Sequence, residues 1–240
     1  MPLPKINTPT YELELPSTGK KIKYRPFLVR EEKILLMALE SEDMKQISSG
    51  IIQILNDCIL TRGVKVQTLA TFDIEYLFLN VRAKSVGESV EVSVTCPDDG
   101  ETTVDMEIDI DSIKVQKDKG HKSIVKLDNK YSMKLKYPSF DQFIDSNFEV
   151  GDDTSDIGKS LDMIISCIEM VYDDEESWSA SDCTKKELRD FVDQLNSKQF
   201  KEIEKFFTTM PKLSHTISVK NPNTKVESEV VLEGLASFFS

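Results

Sequence analysis

Three segments of the chain alternate apolar and polar residues on both sides of a short polar turn that begins near a proline. They are YELEL-PSTGK-KIKYR, VEVSVT-CPDDG-ETTVDMEID and HTISVK-NPNTK-VESEVVL, at residues 11–25, 90–109 and 215–232. Alternation with a period of two is typical of a strand with one buried face, and proline fixes the backbone of an early turn position. We therefore predict three antiparallel β-hairpins of similar shape.

Between the first two hairpins, the apolar residues follow the 3.6-residue period of an α-helix. Segments 30–43, 44–60 and 68–85 each place their large apolar residues on one stripe. Thr71 or Asp73 is predicted to cap the third helix. The pattern predicts a three-helix block.

A second strand pair and a second helical block are predicted further along the chain. Residues 122–127 and 131–137 alternate again, whereas residues 161–172 carry apolar side chains at helical spacing. Thr184 begins a capping box, and Ser197 is predicted to cap the next helix. Because strands and helices are segregated and do not alternate as βαβ units, the fold class is α+β, with antiparallel β-hairpins, a small sheet and two helical blocks.

We divide the chain into three parts that form one compact unit or two closely packed domains. Residues 1–86 hold the first hairpin and the three-helix block, and residues 87–137 hold the antiparallel β region. Residues 138–240 form a C-terminal helical block with the last hairpin and an apolar tail.

Composition excludes several classes of function. Of the 240 residues, 39% are hydrophobic and 30% charged, and the net charge is −12. No apolar run approaches the roughly 18 residues that span a bilayer, and the first residues have no apolar signal-peptide centre, so we expect a cytoplasmic location and no membrane partner. Residues 141–183 contain thirteen Asp and Glu, and Lys159 is the one basic residue among them. This acidic band disfavours nucleic acid as a partner there; it is either a solvated surface or a contact for a basic protein.

The sequence lacks the residues of common catalytic and metal sites. The CPDDG turn holds Cys96 alone where a zinc-ribbon knuckle needs two cysteines, and His121 and His215 have no partner at short spacing. There is no Gly-x-Ser-x-Gly motif and no phosphate-binding loop. We therefore predict no catalytic residue, no cofactor and no metal. The four cysteines, Cys58, Cys96, Cys167 and Cys183, are predicted to be free thiols. A degenerate zinc-ribbon module that binds nucleic acid is the least favoured alternative.

What remains is a protein that acts through its surfaces. One face of the first hairpin is basic, the third hairpin is expected to offer a strand edge and a rigid corner for docking, and the tail LEGLASFFS is apolar. The predicted partner-binding residues are Lys21, Lys23, Arg25, Pro222, Leu235, Phe238 and Phe239.

Strings at both ends of the chain carry a resemblance to a known family. They are FFTTMPKLSHTI (206–217), NPNTK (221–225), VVLEGL (230–235) and SFF (237–239), and near the start PKINTPTYEL (4–13), PSTGK (16–20) and YRPF (24–27). The chain resembles the baseplate hub subunit family of T-even-type contractile-tailed bacteriophages along its whole length.

The resemblance implies a late virion or assembly protein that works by protein–protein interaction and has no enzyme activity. Its implied partners are other baseplate hub or tail proteins, in the tail baseplate of the virion or in the host cytoplasm during assembly. The alternative is an assembly chaperone that is absent from the mature virion. Whether the chain forms a homo-oligomer is left open.

Overall fold

The structure is a computed structural model that describes residues 6–140, 142 and 156–238. The α-helices are α1 (Val29–Glu40), α2 (Met44–Cys58), α3 (Thr71–Val86), α4 (Asp156–Ser166), α5 (Lys185–Val192) and α6 (Ser197–Thr209). The strands are β1 (Tyr11–Glu14), β2 (Lys21–Tyr24), β3 (Ser89–Thr95), β4 (Thr103–Asp109), β5 (Lys114–Gln116), β6 (Ile124–Lys126), β7 (Ser132–Leu135), β8 (Ile168–Tyr172), β9 (Ser177–Ser179), β10 (Lys212–Lys220) and β11 (Glu227–Glu233).

The strands form small antiparallel sheets. The three predicted hairpins are confirmed as the pairs β1–β2, β3–β4 and β10–β11, and β5 joins the last of these on the free side of β10. The remaining strands form one sheet in the order β6-β7-β8-β9. With helices segregated from antiparallel strands, the fold is α+β, as the sequence predicts.

The chain divides into two compact units. The first comprises Met1–Gln116 and Lys212–Ser240, and the second Lys117–Pro211. The three-part division made from the sequence places its boundaries at other positions and stays a prediction.

The core of the first unit lies around α2 and α3. Ile54, Leu55, Ile74 and Leu77 are fully buried there. Helices α1 and α2 approach closely at Gly50, where an added Cβ would lie 3.2 Å from the Cβ of Ala38. The three-helix block predicted between the hairpins is confirmed.

The core of the second unit lies between one face of the four-stranded sheet and the helices. The sheet contributes Val125, Met133 and Leu135, and the helices contribute Ile203 and Phe206, each at most 6% exposed. Along β6, Val125 faces this core while its neighbour Ile124 is 48% exposed, because successive side chains of a strand point to opposite faces.

The helix predicted over residues 161–172 is correct only up to Ser166. Ile168–Tyr172 forms β8 instead, paired with β7 and β9. Apolar residues at 164, 165, 168 and 171 have helical spacing, and the last two, three positions apart, do not share one face of a regular strand. Both are nevertheless buried in β8, whose register with β7 shifts between Lys134 and Leu135, so pairing with distant segments overrides the local pattern.

Two predicted caps are wrong and one is confirmed. The N-cap of α3 is Ala70 with no side-chain cap, so neither Thr71 nor Asp73 fills that role. Helix α6 is capped by Asn196, whose side chain accepts from the amides at 198 and 199, rather than by Ser197. The capping box of Thr184 at the start of α5 is confirmed.

Candidate functional site

The three hairpin turns have the same backbone geometry. In each, the residue before the proline accepts a hydrogen bond from the amide four positions later, and that later residue has positive φ. The bonds join Gly19 to Leu15, Gly100 to Cys96 and Lys225 to Asn221 at 2.8, 2.9 and 3.0 Å, with φ of 70°, 70° and 66°. Glycine adopts this left-handed conformation at little cost, whereas lysine does so with strain.

The second and third turns bind each other. Asn221 is 1% exposed, and its Nδ2 donates to Asp98 Oδ1 at 3.0 Å and to Asp99 Oδ2 at 2.8 Å. The hydroxyl of Thr224 also donates to Asp98, and Asn223 Nδ2 donates to the Thr102 hydroxyl at 3.1 Å. Hydrogen bonds from Thr224 and Asn221 lower the pKa of Asp98. The aspartates of the CPDDG turn therefore hold another turn in place.

The first turn is anchored on α3. The amide of Ser17 donates to Asp73 Oδ1 at 2.9 Å, and its hydroxyl donates to Asp73 Oδ2. Asp73 is fully buried, so these hydrogen bonds compensate for the burial of its carboxylate. This contact explains why Asp73 does not cap its own helix.

The basic face of the first hairpin is largely neutralised by its own strands. Lys21 and Lys23 are exposed, but they lie opposite Glu14 and Glu12 in the strand register. Lys21 Nζ lies 3.4 Å from Glu12 Oε1. These two predicted partner-binding lysines are accessible, and each lies opposite a glutamate of β1.

Arg25 contacts its own chain. Its side chain is 12% exposed, and its guanidinium donates to Glu31 Oε1 and to the Asp57 carbonyl, both at 2.9 Å. Glu31 is fully buried and also accepts from Arg30 and from the Leu28 amide. Burial opposes the charge of Glu31, but hydrogen bonds from Arg25, Arg30 and Leu28 lower its pKa to about 2.

The C-terminal segment also contacts its own unit. Leu235 is 7% exposed, and its amide donates to Glu75 Oε1 at 3.2 Å. Burial raises the pKa of Glu75 to about 7. Phe238 ends a short 3₁₀-helix, and the predicted site residue Phe239 lies outside the described residues. Pro222, in the third turn, is exposed.

Part of the acidic band is paired with basic side chains in the second unit. The pairs are Asp162 with Lys185 and Arg189, Glu169 with Lys134, and Asp173 with Lys130. Residue 141 and residues 143–155 of the band lie outside the described residues.

The cysteines are free, as predicted from their spacing, and burial raises the pKa of Cys58, Cys96 and Cys167. Within residues 6–140, 142 and 156–238, no group of three His, Cys, Asp or Glu side chains could hold a metal ion. No helix in that same part of the chain is long and apolar enough to cross a membrane.

Sequence reasoning missed a lysine-lined groove in the second unit. It has a volume of about 510 Å³ and lies between α6 and β6. Four exposed lysines line it: Lys122, Lys126, Lys198 and Lys205. The sequence did contain a signal for it, because residues 117–136 hold seven lysines and only two aspartates. The alternation of apolar and polar residues that predicts hairpins does not reveal this excess of positive charge.

Among known proteins, the chain matches one family model. The chain belongs to the T4 bacteriophage base plate protein family, whose model matches residues 8–240. No curated protein and no solved structure matches the chain. The chain is thus a bacteriophage baseplate protein with a structural or assembly role, and its partners are other proteins of the phage tail.

Proposed function

We propose that the chain is a subunit of the hub of a contractile phage tail baseplate, either a structural one or one needed to assemble the hub. The observation that carries the proposal is the family match over residues 8–240, supported by the terminal strings that resemble hub subunits. The described residues agree with a protein that acts by protein–protein contacts. Their buried polar side chains form hydrogen bonds in turns and ion pairs within the chain, and their exposed lysines line an open groove. No catalytic role is part of the proposal.

Of the predicted contact residues whose exposure the structure describes, Lys21, Lys23 and Pro222 are exposed. Arg25 and Leu235 support the same surfaces from within, because their polar groups bind Glu31 and Glu75. We propose that the first hairpin and the third turn contact neighbouring hub proteins. The internal hydrogen bonds of Arg25 and Leu235 would help to hold the adjoining backbone in position for these contacts.

Quantitative mass spectrometry of purified phage particles and of hub assembly intermediates tests the proposal. A structural subunit is expected in the finished particle at a fixed ratio to the other hub proteins. An assembly factor is expected in the intermediates and not in the particle. Absence from both, in phage that express the chain, would overturn the proposal.

A further inference from the structure

Strand β6 is the outer strand of the four-stranded sheet, and one of its edges is open. The Leu127 amide donates to the Tyr131 carbonyl and the Leu135 amide to the Ser123 carbonyl, so residues 123, 125 and 127 direct their backbone groups toward β7. The amides and carbonyls of Ile124 and Lys126 therefore point away from the sheet. No backbone partner for them occurs in the described residues.

The open edge borders the groove, and the groove is positively charged. Lys122, Lys126, Lys198 and Lys205 line it, against two acidic residues, Glu202 and Asp128. The side-chain nitrogens of the four lysines make no ion pair or hydrogen bond with any described residue.

Neither acidic residue is well placed to neutralise all four lysines. One oxygen of Asp128 already accepts from the amides of Lys130 and Tyr131, each at 2.7 Å, which commits it to the turn after β6. Glu202 is exposed, and together with Asp128 it brings two negative charges against the four positive charges of the lysines. Among the residues that the structure describes, the groove therefore keeps an excess of positive charge beside backbone groups that have no partner.

We infer that this groove binds an extended, acidic segment of a partner protein, which adds to the sheet as a new strand beside β6. Strand addition uses the free amides and carbonyls of an edge for affinity and the flanking side chains for specificity. Here the four lysines, which have no ion pair within the described part of the chain, select carboxylates, and the 48% exposed Ile124 offers an apolar contact between them.

A polypeptide fits the groove better than a nucleic acid. The backbone edge supplies both donors and acceptors in alternation, which another strand matches, whereas a nucleic-acid backbone offers mainly acceptors. The inference rests on the proposed function only for the statement that the partner is a tail protein.

The first experiment measures binding of a fluorescent seven-residue peptide of alternating Glu and Val, blocked at both ends, to the full chain. We expect saturable binding that weakens with added salt and is absent for the matched peptide of alternating Gln and Val. The double variant Lys126→Glu with Lys205→Glu should weaken binding by at least about tenfold. Lys201→Glu, which changes an exposed lysine of α6 outside the groove, should change it by less than about twofold.

The second experiment tests the strand edge. Ile124→Pro removes one outward amide without removing a bond to β7, and proline is tolerated at such edge positions. Ile124→Thr is the matched control, since it also loses the apolar side chain but keeps the amide. We expect the proline variant to bind several-fold more weakly than the threonine variant, with unchanged circular dichroism.

Three results would overturn the inference: equal binding of the Glu and Gln peptides, equal binding by the proline and threonine variants, or displacement of the Glu peptide by a single-stranded oligonucleotide that binds more tightly. None of these would affect the expected presence of the chain in particles or intermediates, so failure of the groove is distinguishable from failure of the proposed function.

Discussion

The turns of the first unit and the groove of the second unit use their polar groups in opposite ways. In the first unit, Asn221, Asp73 and Glu31 are buried and hydrogen-bonded to their own chain. In the second, the lysines around β6 are exposed and unpaired among the described residues. Buried polar groups must be satisfied for the fold to be stable, whereas exposed unpaired charges cost little and remain available. The comparison separates residues that hold the structure from residues that can hold a partner.

The largest expected effect in the comparison is at Glu31. Glu31→Ala leaves Arg25 without its carboxylate and removes the acceptor of the Leu28 amide, so we expect a loss of about 3 kcal/mol in the free energy of unfolding. Urea unfolding at pH 7 measures it. Glu40→Ala, at an exposed position of the same helix, is the control and should change it by less than about 0.5 kcal/mol.

The lowered pKa of Glu31 also predicts that the stability of the chain depends on pH in the acid range. This pKa is lowered from 4.5 to about 2 in the folded chain, so the contribution of Glu31 is complete above about pH 4.5 and is lost as the pH falls toward 2. The wild type and Glu31→Ala should therefore converge in stability at low pH. A constant difference between them down to pH 2 would contradict the role assigned to the ion pair.

The next effect concerns the contact between the second and third turns. Asn221→Ala removes the donor to Asp98 and Asp99 from a buried position, and we expect a loss of about 2 kcal/mol. The exposed Asn223 makes one side-chain bond across the same contact, so Asn223→Ala should cost less than about 1 kcal/mol. Equal losses in urea unfolding would mean that the buried amide does not organise the contact.

Replacing Glu75 by a neutral residue should give a gain in stability at high pH. The folded pKa of Glu75, about 7, lies above the usual value of 4.5 for a glutamate, so the folded chain holds this proton to higher pH and stability falls as the pH rises from about 4.5 to 7. Glu75→Gln keeps an acceptor for the Leu235 amide without the charge. We expect it to be more stable than wild type by about 1–3 kcal/mol at pH 8 and equal to it at pH 4. Thermal unfolding at both pH values measures this, and a gain of the same size at pH 4 would exclude titration as the cause.

The smallest stability effect is expected in the groove. The double variant Lys126→Glu with Lys205→Glu removes no described contact, so the free energy of unfolding should change by less than about 0.5 kcal/mol while binding of the acidic peptide is lost. A loss of stability as large as that of Asn221→Ala would remove the distinction between the two regions.

Local patterns predicted much of the fold. The three hairpins, the three-helix block and the strand pair β6–β7 follow from periodicity over short windows, because each buries one face. The incorrect predictions concern residues whose structure is determined by contacts with segments that are distant in the sequence. Strand β8 forms on β7 and β9 although its apolar spacing also suits a helix, and Asp73 binds the first turn, 56 residues away, rather than capping α3.

The candidate sites were less predictable than the fold. The excess of lysine near β6 is visible in the sequence, but that these lysines form no ion pair with a described residue depends on where α6 packs. Likewise, the alternating lysines of β2 suggested a basic surface, and only the register with β1 places Glu12 and Glu14 opposite them. Charge runs report composition, whereas pairing across strands determines the charge that a partner meets.

Lysine acetylation footprinting tests the central claim most directly, by comparing the free chain with the chain in purified particles or hub assembly intermediates. The account predicts that Lys122, Lys126, Lys198 and Lys205 lose reactivity on assembly, while Lys201 on the same helix α6 keeps it. Groove lysines that react equally in the free and assembled states would contradict the claim that the second unit holds the partner there.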